Sequence, residues 1–280
     1  MRSALVTGSS TGIGRATALR LDREGWRVFA GVRREEDAES LRAAGSDRLA
    51  PVILDVTDAA QVAAAAVLVG EAVGDAGLDG LVNNAGIAVL SPLETIPLED
   101  FRRQIEVNLT GQVAVTQALL PFVRRAAGRV VFVSSIGGRM ALPFGSPYHA
   151  AKFGIEAVAH CLRLELRPWK IDVSVIEPGS IDTPIWQRGE RIADEVATRA
   201  PAVQEELYGQ TIERFRAAVR RTAERGIAPE KVADAVTHAL TARRPRTRYL
   251  VGADARGQML ARRLLPDRAF DRVIARAMRI

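Results

Sequence analysis

The sequence predicts an α/β fold in which helices cover both faces of a seven-stranded parallel sheet. Seven short runs rich in β-branched residues alternate with helical patterns as far as about residue 252. The runs are SALVT (3–7), RVFAGV (27–32), PVILDV (51–56), LDGLVN (78–83), RVVFVS (129–134), IDVSVIEP (171–178) and RYLVG (248–252). Repeated strand–helix–strand units require parallel strands, and strands buried on both faces are almost continuously apolar, as these are. The patterns together predict a doubly wound domain of the Rossmann type.

Several helix ends are marked by residues that favour them. Gly25 follows the helical pattern after the first strand and is suited to a C-cap. Asp58 and Ser146 stand near helix starts, where a side-chain oxygen can accept hydrogen bonds from free backbone N–H groups. Pro229 suits a first helical turn. These signals separate the elements without marking a linker between two domains.

The 280 residues, 48% of them apolar, predict a single domain from residue 1 to residue 280. A polar, mostly helical segment from 184 to 226 is inserted after the sixth strand. An α/β enzyme would place a substrate lid at this edge of the sheet.

Residues 253–280 are predicted to form a basic, amphipathic helical tail. The apolar side chains of its last stretch fall on one helical face: Phe270, Val273, Ile274, Ala277 and Met278. We expect the tail to pack on the subunit or on a second copy. The alternative is that it lies against an anionic membrane surface or rims a lipophilic pocket.

The sequence predicts a soluble, cytoplasmic protein. Met1 and Arg2 lead directly into the first strand, without the pattern of a secretory signal. The most apolar run, residues 59–74, contains two polar residues and predicts a core-facing helix rather than a membrane span. The single cysteine, Cys161, excludes an internal disulfide and is predicted to be a buried, inert thiol.

The net charge of +6 arises from the last strand and the tail together. Residues 243–280 contain eleven arginines against three aspartates, a net of +8, so the first 242 residues carry −2. Aromatic residues do not alternate with these arginines, and single-strand nucleic-acid binders need such a stacking surface. We therefore expect no nucleic-acid partner. No histidine spacing suits zinc, so no metal site is predicted.

A glycine-rich turn, TGSSTGIG (7–14), stands between the first strand and the first helix. Glycine lets the chain turn tightly and bring backbone N–H groups close to a pyrophosphate at the positive end of the helix. The Gly-Lys-Ser/Thr ending of a nucleoside-triphosphate loop is missing. The pattern indicates a dinucleotide, and the candidate contacts are Gly8, Ser10, Thr11, Gly12, Ile13 and Gly14.

The end of the second strand indicates which dinucleotide binds. NAD-binding folds place an acidic residue there for the ribose 2′-hydroxyl, whereas an arginine accommodates the 2′-phosphate of NADP. This chain has Val32, Arg33 and Arg34 at that place, with no carboxylate before Glu35. Because a guanidinium matches phosphate geometry, Arg33 and Arg34 predict NADP(H) over NAD(H).

Six motifs resemble those of the short-chain dehydrogenases/reductases, in the order of that family. They are TGSSTGIG, NNAG (83–86), VNLTG with Asn108, VVFVSSIGG with Ser135, YHAAK (148–152) and PGSIDT (178–183). Together they extend from residue 4 to about residue 183. The later segment HALTARRPRTRYLVGADA and the basic tail look like the branch that contains retinol dehydrogenases and 17β-hydroxysteroid dehydrogenases.

The resemblance implies a catalytic set of Asn108, Ser135, Tyr148 and Lys152. Tyr148 would be the acid/base, and Lys152, one of three lysines in the chain, its activator. Ser135 would hydrogen-bond the reacting oxygen, and Asn108 would hold a water beside the lysine. Ser135 is chosen over Ser134 because it stands thirteen residues before Tyr148, the usual interval of the family.

The resemblance also implies contacts to the rest of the cofactor. The adenine, the middle of the cofactor and the nicotinamide end would meet residues after the third, fourth and sixth strands. These residues are Asp55, Val56, Asn83, Ala85, Gly86, Pro178, Gly179, Ile181 and Thr183, with Tyr148 and Lys152 beside them. Thr11 would share the 2′-phosphate with Arg33.

Ketone reduction explains why these residue types are needed. The reaction requires a hydride on carbon and a proton on oxygen, and a nicotinamide supplies the hydride alone. The pKa of a free tyrosine, about 10, is too high for ready proton exchange at neutral pH. Lys152 shares a helix face with Tyr148, so we expect its charge to lower the pKa of the phenol.

The sequence therefore predicts an NADP(H)-dependent oxidoreductase that interconverts an alcohol with its ketone or aldehyde. The apolar lid residues and the tail favour a bulky hydrophobic substrate, steroid-like or retinoid-like. These lid residues are Ile185, Trp186, Leu207, Tyr208, Ile212 and Phe215. The alternatives are a catalytically silent nucleotide-binding sensor or scaffold of the same fold, and an enzyme acting on a small polar or acyl substrate. A homodimer or homotetramer is expected, with the tail as a candidate membrane contact.

Overall fold

A computed structural model describes residues 1–278 and contains the predicted seven-stranded sheet, with every strand pair parallel. The strands are β1 (Ser3–Val6), β2 (Arg27–Val32), β3 (Leu49–Ile53), β4 (Gly80–Asn83), β5 (Arg129–Val133), β6 (Asp172–Pro178) and β7 (Arg248–Val251). Their order across the sheet is β3-β2-β1-β4-β5-β6-β7. The order reverses direction between β1 and β4, and a reversal of this kind opens a ligand crevice at the carboxyl ends of the strands.

Helices connect all the strands. They are α1 (Gly12–Arg23), α2 (Glu35–Ala44), α3 (Ala59–Val73), α4 (Leu98–Ile105), α5 (Gly111–Arg125), α6 (Ser146–Glu165), α7 (Ile185–Ala197), α8 (Val203–Ala223), α9 (Glu230–Thr241), α10 (Ala253–Leu264) and α11 (Asp267–Met278). Short 3₁₀ turns occupy 74–76, 136–138 and 167–169, and a π-helical turn occupies Glu106–Thr110 between α4 and α5. The predicted lid consists of α7 and α8, and the predicted tail consists of α10 and α11.

Alternating strand residues build a separate core on each face of the sheet. In β1, Ala4 and Val6 enter the core covered by α1, α2 and α9, whereas Leu5 enters the core covered by α3, α5 and α6. In β5, Val131 and Phe132 divide between the two cores in the same way. Since both faces are covered by helices, most positions in the strands are apolar, which explains the nearly continuous runs in the sequence.

The helix-end signals act as expected, with small shifts. Gly25 has a φ of +81° after α1, a conformation that favours glycine. The Asp58 carboxylate accepts hydrogen bonds from two N–H groups in the first turn of α3, at 2.9 and 3.1 Å. Ser146 is the first residue of α6, and Pro229 directly precedes α9. The third strand begins at Leu49, two residues before the predicted run.

Two burial predictions are wrong. Cys161 is exposed, because it lies on the outer face of α6. The apolar run 59–74 is not mainly core-facing: α3 buries Val62, Ala65 and Val69 and leaves Val67 60% exposed. Alanine-rich turns are apolar without being buried, so composition overstated the burial of this helix. By length and mean hydropathy (1.3), the stretch Ala59–Ala76 qualifies within the described residues as a candidate membrane span, and 17% of it is buried.

The close packing around Gly14 means that a substitution at this position tests the glycine-rich turn. A Cβ on Gly14 would lie 2.2 Å from the Gly8 carbonyl oxygen and 2.5 Å from the Asn84 side-chain nitrogen. We expect Gly14→Ala to open the turn, lower the melting temperature and weaken NADPH binding by about tenfold or more, since overpacking costs about 1–3 kcal/mol. Thermal unfolding and NADPH titration measure the two effects.

Gly257→Ala is the matched control, because a Cβ there meets no atom within 4 Å. That variant should bind NADPH as the parent does. Normal NADPH binding by Gly14→Ala would contradict the close approach at the turn.

Candidate active site

A cavity of about 770 Å³ opens along the carboxyl ends of the strands and gathers most of the predicted site. The predicted residues that line it are Gly8, Ser10, Thr11, Gly12, Ile13, Gly14, Arg33, Asp55, Val56, Ala85, Gly86, Asn108, Ser135, Tyr148, Lys152, Pro178, Gly179, Ile181 and Thr183. These residues come from the carboxyl ends of the strands β1 to β6 and from the loops and helices that follow them, so the parallel sheet brings distant motifs to one edge.

The glycine-rich turn is shaped to receive a phosphate group. Gly8 and Gly12 have φ values of +66° and +54°, which other residues rarely adopt. Thr11 directly precedes α1 and its side chain makes no capping hydrogen bond to the helix start. The N–H groups of the first turn of α1 therefore face the cavity, where a helix N-terminus favours an anion. The turn fits the pyrophosphate of a dinucleotide.

Ser135 is held in place by the turn that follows β5. Its Oγ accepts a hydrogen bond of 3.0 Å from the Gly137 N–H and so caps the short 3₁₀ turn 136–138. Its backbone is extended. Because β5 ends at Val133, Ser135 lies beyond the strand, and its side chain can point into the cavity.

The pKa of the Tyr148 phenol differs from the expectation. Burial raises this pKa above its usual value, and hydrogen bonding with Ser135 acts in the opposite direction. The expected lowering by Lys152 is wrong for the protein alone, because burial dominates the shift and the lysine charge is not among its causes. The ammonium lies 5.8 Å from the centre of the Tyr148 ring.

Lys152 is buried, with 5% of its surface exposed. Its Nζ donates a hydrogen bond of 2.8 Å to the carbonyl oxygen of Val133, the last residue of β5. Burial lowers the pKa of this lysine from 10.5 to about 8, and the negative charge of Glu156 partly opposes the decrease. The ammonium is therefore still the main form at neutral pH.

Asn108 is buried in the π-helical turn between α4 and α5. Its side-chain oxygen accepts from the Ile87 N–H at 2.8 Å, and its side-chain nitrogen donates to the Ile87 carbonyl at 2.9 Å. Single π turns inside helices occur often at functional sites. Asn108 fixes the loop after β4 in this way, and its expected role beside a water stays a prediction.

Two predicted cofactor contacts do not face the cavity. Asn83 is fully buried, and its side-chain nitrogen donates to the Thr116 hydroxyl at 2.8 Å, away from the cleft. Asn83 ends β4, and in a strand successive side chains point to opposite faces. Arg34 pairs with Glu36 and Asp37 at 2.8 and 3.0 Å on the outside of α2.

The structure adds two residues that the motifs alone did not single out. Asn84, the second residue of NNAG, lines the cavity and donates to the carbonyl oxygens of Thr7 and Gly8 at 2.9 and 3.1 Å. The sequence could have indicated Asn84, because the residue that directly follows a strand can direct its side chain toward the cleft. His149 also lines the cavity, although its sequence context indicated an ordinary helical residue.

His149 joins two points of the segment that connects Ser135 to α6. Its Nε2 accepts from the Leu142 N–H at 2.9 Å, so Nδ1 carries the proton and donates to the Gly137 carbonyl at 2.8 Å. Burial lowers the pKa of this imidazole, which keeps the ring neutral at neutral pH. The sequence offers no separate signal for this contact because it depends on a loop conformation.

The lid and the tail close the outer side of the cavity. Ile185, Trp186 and Phe215 line it as expected, as does the apolar face of α11 from Phe270 to Met278. Leu207 is 54% exposed, and the Tyr208 hydroxyl contacts Glu94 at the surface. Ile212 lines a separate, smaller cavity behind the lid. The tail thus packs on its own subunit and forms part of the cavity wall.

A family model of the short chain dehydrogenases matches residues 2–192 of the chain. The chain belongs to the short-chain dehydrogenase family. The 17-beta-hydroxysteroid dehydrogenase type 6 of Bos taurus is 42% identical to this short-chain dehydrogenase over 280 residues, covering 97% of the chain and 87% of the relative. Retinol dehydrogenase 5 of Mus musculus is 39% identical over 275 residues, covering 96% and 86%. The resemblance to this branch is confirmed.

Solved structures of short-chain dehydrogenases share the fold. One from Streptomyces avermitilis is 29% identical, with a TM-score of 0.76, and covers 94% of this chain and 93% of its own. One from Burkholderia cenocepacia in complex with NADP is 27% identical, with a TM-score of 0.73, and covers 99% of each chain. The Rossmann-type sheet is therefore common to this short-chain dehydrogenase and its structural neighbours.

The low pKa of Lys152 predicts a pH dependence of stability. A lysine whose pKa is about 8 when folded and 10.5 when free costs stability below about pH 8, and this cost disappears as the pH rises toward 10.5. Relative to Lys152→Met, the unmodified enzyme should therefore gain about 2 kcal/mol in free energy of unfolding between about pH 8 and about pH 10.

Urea unfolding of both proteins across this pH range measures the difference. Lys170→Met is the control, since this lysine is exposed and should give no comparable change. A constant difference between Lys152→Met and the unmodified enzyme would show that Lys152 titrates normally.

Proposed function

We propose that this short-chain dehydrogenase is an NADP(H)-dependent oxidoreductase that interconverts a bulky hydrophobic alcohol with its ketone or aldehyde. The family and its retinol and steroid dehydrogenase relatives support alcohol and carbonyl oxidoreduction. The observation that carries the proposal is the arrangement of Ser135, Tyr148 and Lys152 in one cavity with the glycine-rich turn. This arrangement provides a proton donor beside a site for a nicotinamide dinucleotide.

The proton chemistry follows from the surroundings of Tyr148. When bound, the nicotinamide supplies or accepts the hydride. In reduction, the Tyr148 hydroxyl gives its proton to the substrate oxygen while the Ser135 hydroxyl donates a hydrogen bond to the same oxygen. Oxidation needs the phenolate, which the Lys152 ammonium and an oxidised nicotinamide both stabilise by their charge.

Charges around Arg33 support a preference for NADP(H). Arg33 lines the cavity at the end of β2. The neighbouring carboxylates are occupied elsewhere, since Glu35 pairs with Arg42 at 2.7 Å and Glu36 pairs with Arg34 at 2.8 Å. A 2′-phosphate at this end would therefore meet a guanidinium without a nearby repelling carboxylate. The NADP-bound relative from Burkholderia cenocepacia is consistent with this proposal.

The walls around the nicotinamide end support a large apolar substrate. Trp186 and Phe215 from the lid line the cavity together with Phe270 and Ile274 from the tail. Steroid and retinol dehydrogenases among the relatives carry names of large apolar substrates. A small polar or acyl substrate would leave these apolar walls in contact with water, at a cost of about 25 cal/mol per Å².

The proposal includes a cytoplasmic enzyme that forms a homodimer or homotetramer. Phe153 and Leu164 are 46% and 55% exposed on α6, and such apolar residues favour contact with a second copy. The tail also exposes Leu260 and Leu264 among its arginines, which supports contact with an anionic membrane surface. The silent-sensor alternative receives no support, because each expected catalytic side chain is present in the cavity.

Tyr148→Phe tests the acid/base assignment. The variant lacks the proton-transferring oxygen but keeps the ring, so turnover should fall by about 100-fold or more while NADPH affinity changes less than about threefold. Absorbance assays with a panel of hydrophobic ketones and alcohols, together with NADPH titration, measure both. Retained turnover would rule out Tyr148 as the acid/base.

Arg33→Asp tests the cofactor preference. A carboxylate would repel the 2′-phosphate and accept from a ribose 2′-hydroxyl, so the ratio of NADPH to NADH affinity should fall by about tenfold or more. Arg34→Asp is the matched control, since Arg34 is turned away from the cavity and its change should preserve the ratio. Equal effects of the two substitutions would contradict the assignment of Arg33.

Liposome sedimentation tests the membrane contact of the tail. The full chain should partition onto anionic vesicles more than a variant in which Leu260 and Leu264 are replaced by Gln, and high salt should weaken the binding. Neutral vesicles serve as the control. Equal partitioning of the two proteins would exclude this contact.

A further inference from the structure

Two arginines of the lid face a part of the cavity whose other walls are mainly apolar. We call this part the outer chamber and define it by the lining residues Ile185, Arg188, Arg191 and Ile192 of α7 and Phe270 and Ile274 of the tail. Arg188 is half-buried and Arg191 is exposed. The half-buried guanidinium of Arg188 has lost part of its water and gains from an anionic partner, and the exposed Arg191 adds a second positive charge three residues farther along α7.

The protein itself does not provide that partner in its described part. Within residues 1–278, no carboxylate oxygen lies within 4.0 Å of a nitrogen of Arg188 or Arg191. Glu195 lines the same cavity but is not within that distance of either. By contrast, Arg216 on the neighbouring helix pairs with Asp194 at 2.8 Å.

We propose that Arg188 and Arg191 form an anion subsite that selects hydrophobic alcohols or ketones carrying a carboxylate or sulfate group. This inference rests on the proposed function and narrows its substrate class. The apolar body of such a molecule fills the chamber between lid and tail, and its charged end meets the two guanidinium groups. The reacting oxygen lies at the other end of the molecule, beside Tyr148.

The pyrophosphate of the cofactor is the competing anion. A Cβ on Gly12 would lie 3.0 Å from the Thr183 side chain, so α7 begins directly over the phosphate turn. Arg188 and Arg191 lie one and two helical turns farther along α7 and face the chamber shared with α11. This position favours the substrate, and the experiment separates the two sources.

Binding measurements on the NADP⁺-saturated enzyme test the subsite without turnover. A medium-chain fatty carboxylate should bind about tenfold more tightly than its methyl ester, the size expected for a charged hydrogen-bonded pair. In Arg188→Gln/Arg191→Gln this ratio should fall to about one. Arg214→Gln, which changes an exposed arginine outside the cavity, should keep the ratio of the unmodified enzyme.

The outcomes distinguish the subsite from the proposed function. Equal affinity for acid and ester in the unmodified enzyme overturns the subsite, as does a double variant that weakens NADP⁺ binding but keeps the ratio. The kcat/KM of a steroid ketone with a side-chain carboxylate should also exceed that of its methyl ester. A carboxylate preference in binding without turnover of any alcohol or ketone would instead refute the proposed function.

A second observation concerns a charge cluster formed by the buried carboxylates of Glu156 and Glu177 and the partly exposed guanidinium groups of Arg139 and Arg248. Glu177 is fully buried near the end of β6. Its carboxylate accepts from Arg139 at 3.4 Å, and Arg248 Nε lies 3.0 Å from Glu177 and 3.2 Å from Glu156. Removing a partner from a buried group of this kind is costly.

Each member of the charge cluster belongs to an element that supports the site. Arg139 follows the 3₁₀ turn that Ser135 caps, and Glu177 precedes the Pro178–Gly179 loop at the nicotinamide end. Glu156 lies one helical turn after Lys152 on α6. The charge cluster therefore connects the serine turn, the lysine helix and the nicotinamide loop.

Close packing leaves this arrangement little freedom. A Cβ on Gly138 would lie 2.7 Å from Ser134 Oγ, 2.9 Å from the Lys152 carbonyl oxygen and 3.0 Å from Glu156 Cγ. Burial raises the pKa of Glu177 and the nearby Glu156 raises it further, whereas Arg139 and Arg248 lower it. The two arginines thus favour the charged carboxylate on which the connection depends.

We propose that Glu177 is a positioning residue that holds Ser135 against Tyr148 through Arg139. Glu177 touches neither substrate nor cofactor in this role. Loosening the Arg139 contact would let the serine turn move and weaken its hydrogen bonding with the phenol. Since that hydrogen bonding favours the phenolate, its loss makes alcohol oxidation require a higher pH.

Glu177→Gln and Arg139→Gln test this role. Each should lower kcat for oxidation by about tenfold, shift the controlling pKa of the pH profile upward by about half a unit, and leave the KM within about threefold. The double variant should lose no more than the more affected single variant, because both act through one contact. Arg139 is 40% exposed, so its substitution remains informative if Glu177→Gln folds poorly.

Asp172→Asn is the matched control at the opposite end of β6, where Asp172 pairs with Arg129 at 3.9 Å and is 54% exposed. It should leave kcat and the pH profile unchanged. A lower melting temperature in Glu177→Gln with an unshifted profile would reduce the charge cluster to a structural role and overturn the proposal. Additive losses in the double variant would overturn the shared contact.

Discussion

The site depends on the hydrogen bond between the Lys152 ammonium and the carbonyl oxygen of Val133. A buried ammonium without a partner is expensive, and this 2.8 Å contact gives it one at the end of β5. Because Ser135 follows Val133 by two residues, the same strand end sets the positions of both the lysine and the serine. Tyr148 is one helical turn before Lys152, so its place is fixed from the same point. The strand end thus determines the positions of Lys152, Ser135 and Tyr148.

Burial has opposite effects on the two titrating groups of this site. It raises the pKa of Tyr148 and lowers that of Lys152, so in the protein alone the charged form of each is disfavoured. Both shifts make the site sensitive to a new charge. A nicotinamide in its oxidised form adds a positive charge, which favours the phenolate and disfavours the ammonium. Under the proposed function, cofactor binding and proton transfer are therefore coupled through the low polarity of the cavity.

The fold could be predicted almost completely from the sequence, because two-sided burial leaves a strong signal. The strands of a doubly wound sheet are mostly apolar along their length, and all seven runs are strands. The glycine-rich turn was equally clear, since close backbone approach permits few residues other than glycine. Local composition did not predict which residues of a helix are exposed, because exposure depends on which side of the helix faces the core. Cys161 and the outer side of α3 are the two cases.

The errors in the site have a similar origin. A motif identifies a short segment of the chain. Which of two adjacent side chains enters the cleft depends on the residue at which the strand ends. For this reason Asn84 lines the cavity while Asn83 donates to Thr116. Likewise, Arg33 faces the cavity and Arg34 does not. The His149 contacts and the charge cluster around Glu177 join residues far apart in sequence, and such contacts leave no local pattern.

The structure separates the chemistry from the choice of substrate. Ser135, Tyr148 and Lys152 belong to β5, its following turn and α6, which pack against the buried core and have little freedom to change. The outer chamber is built from α7 and α11, which belong to an insertion and to the tail and contribute few residues to that core. Substitutions in these helices can therefore alter the shape and charge of the chamber without moving the proton donor. An enzyme built in this way can change its substrate while keeping its reaction. The shape and charge of the lid and the tail are therefore the features that would determine which substrate binds.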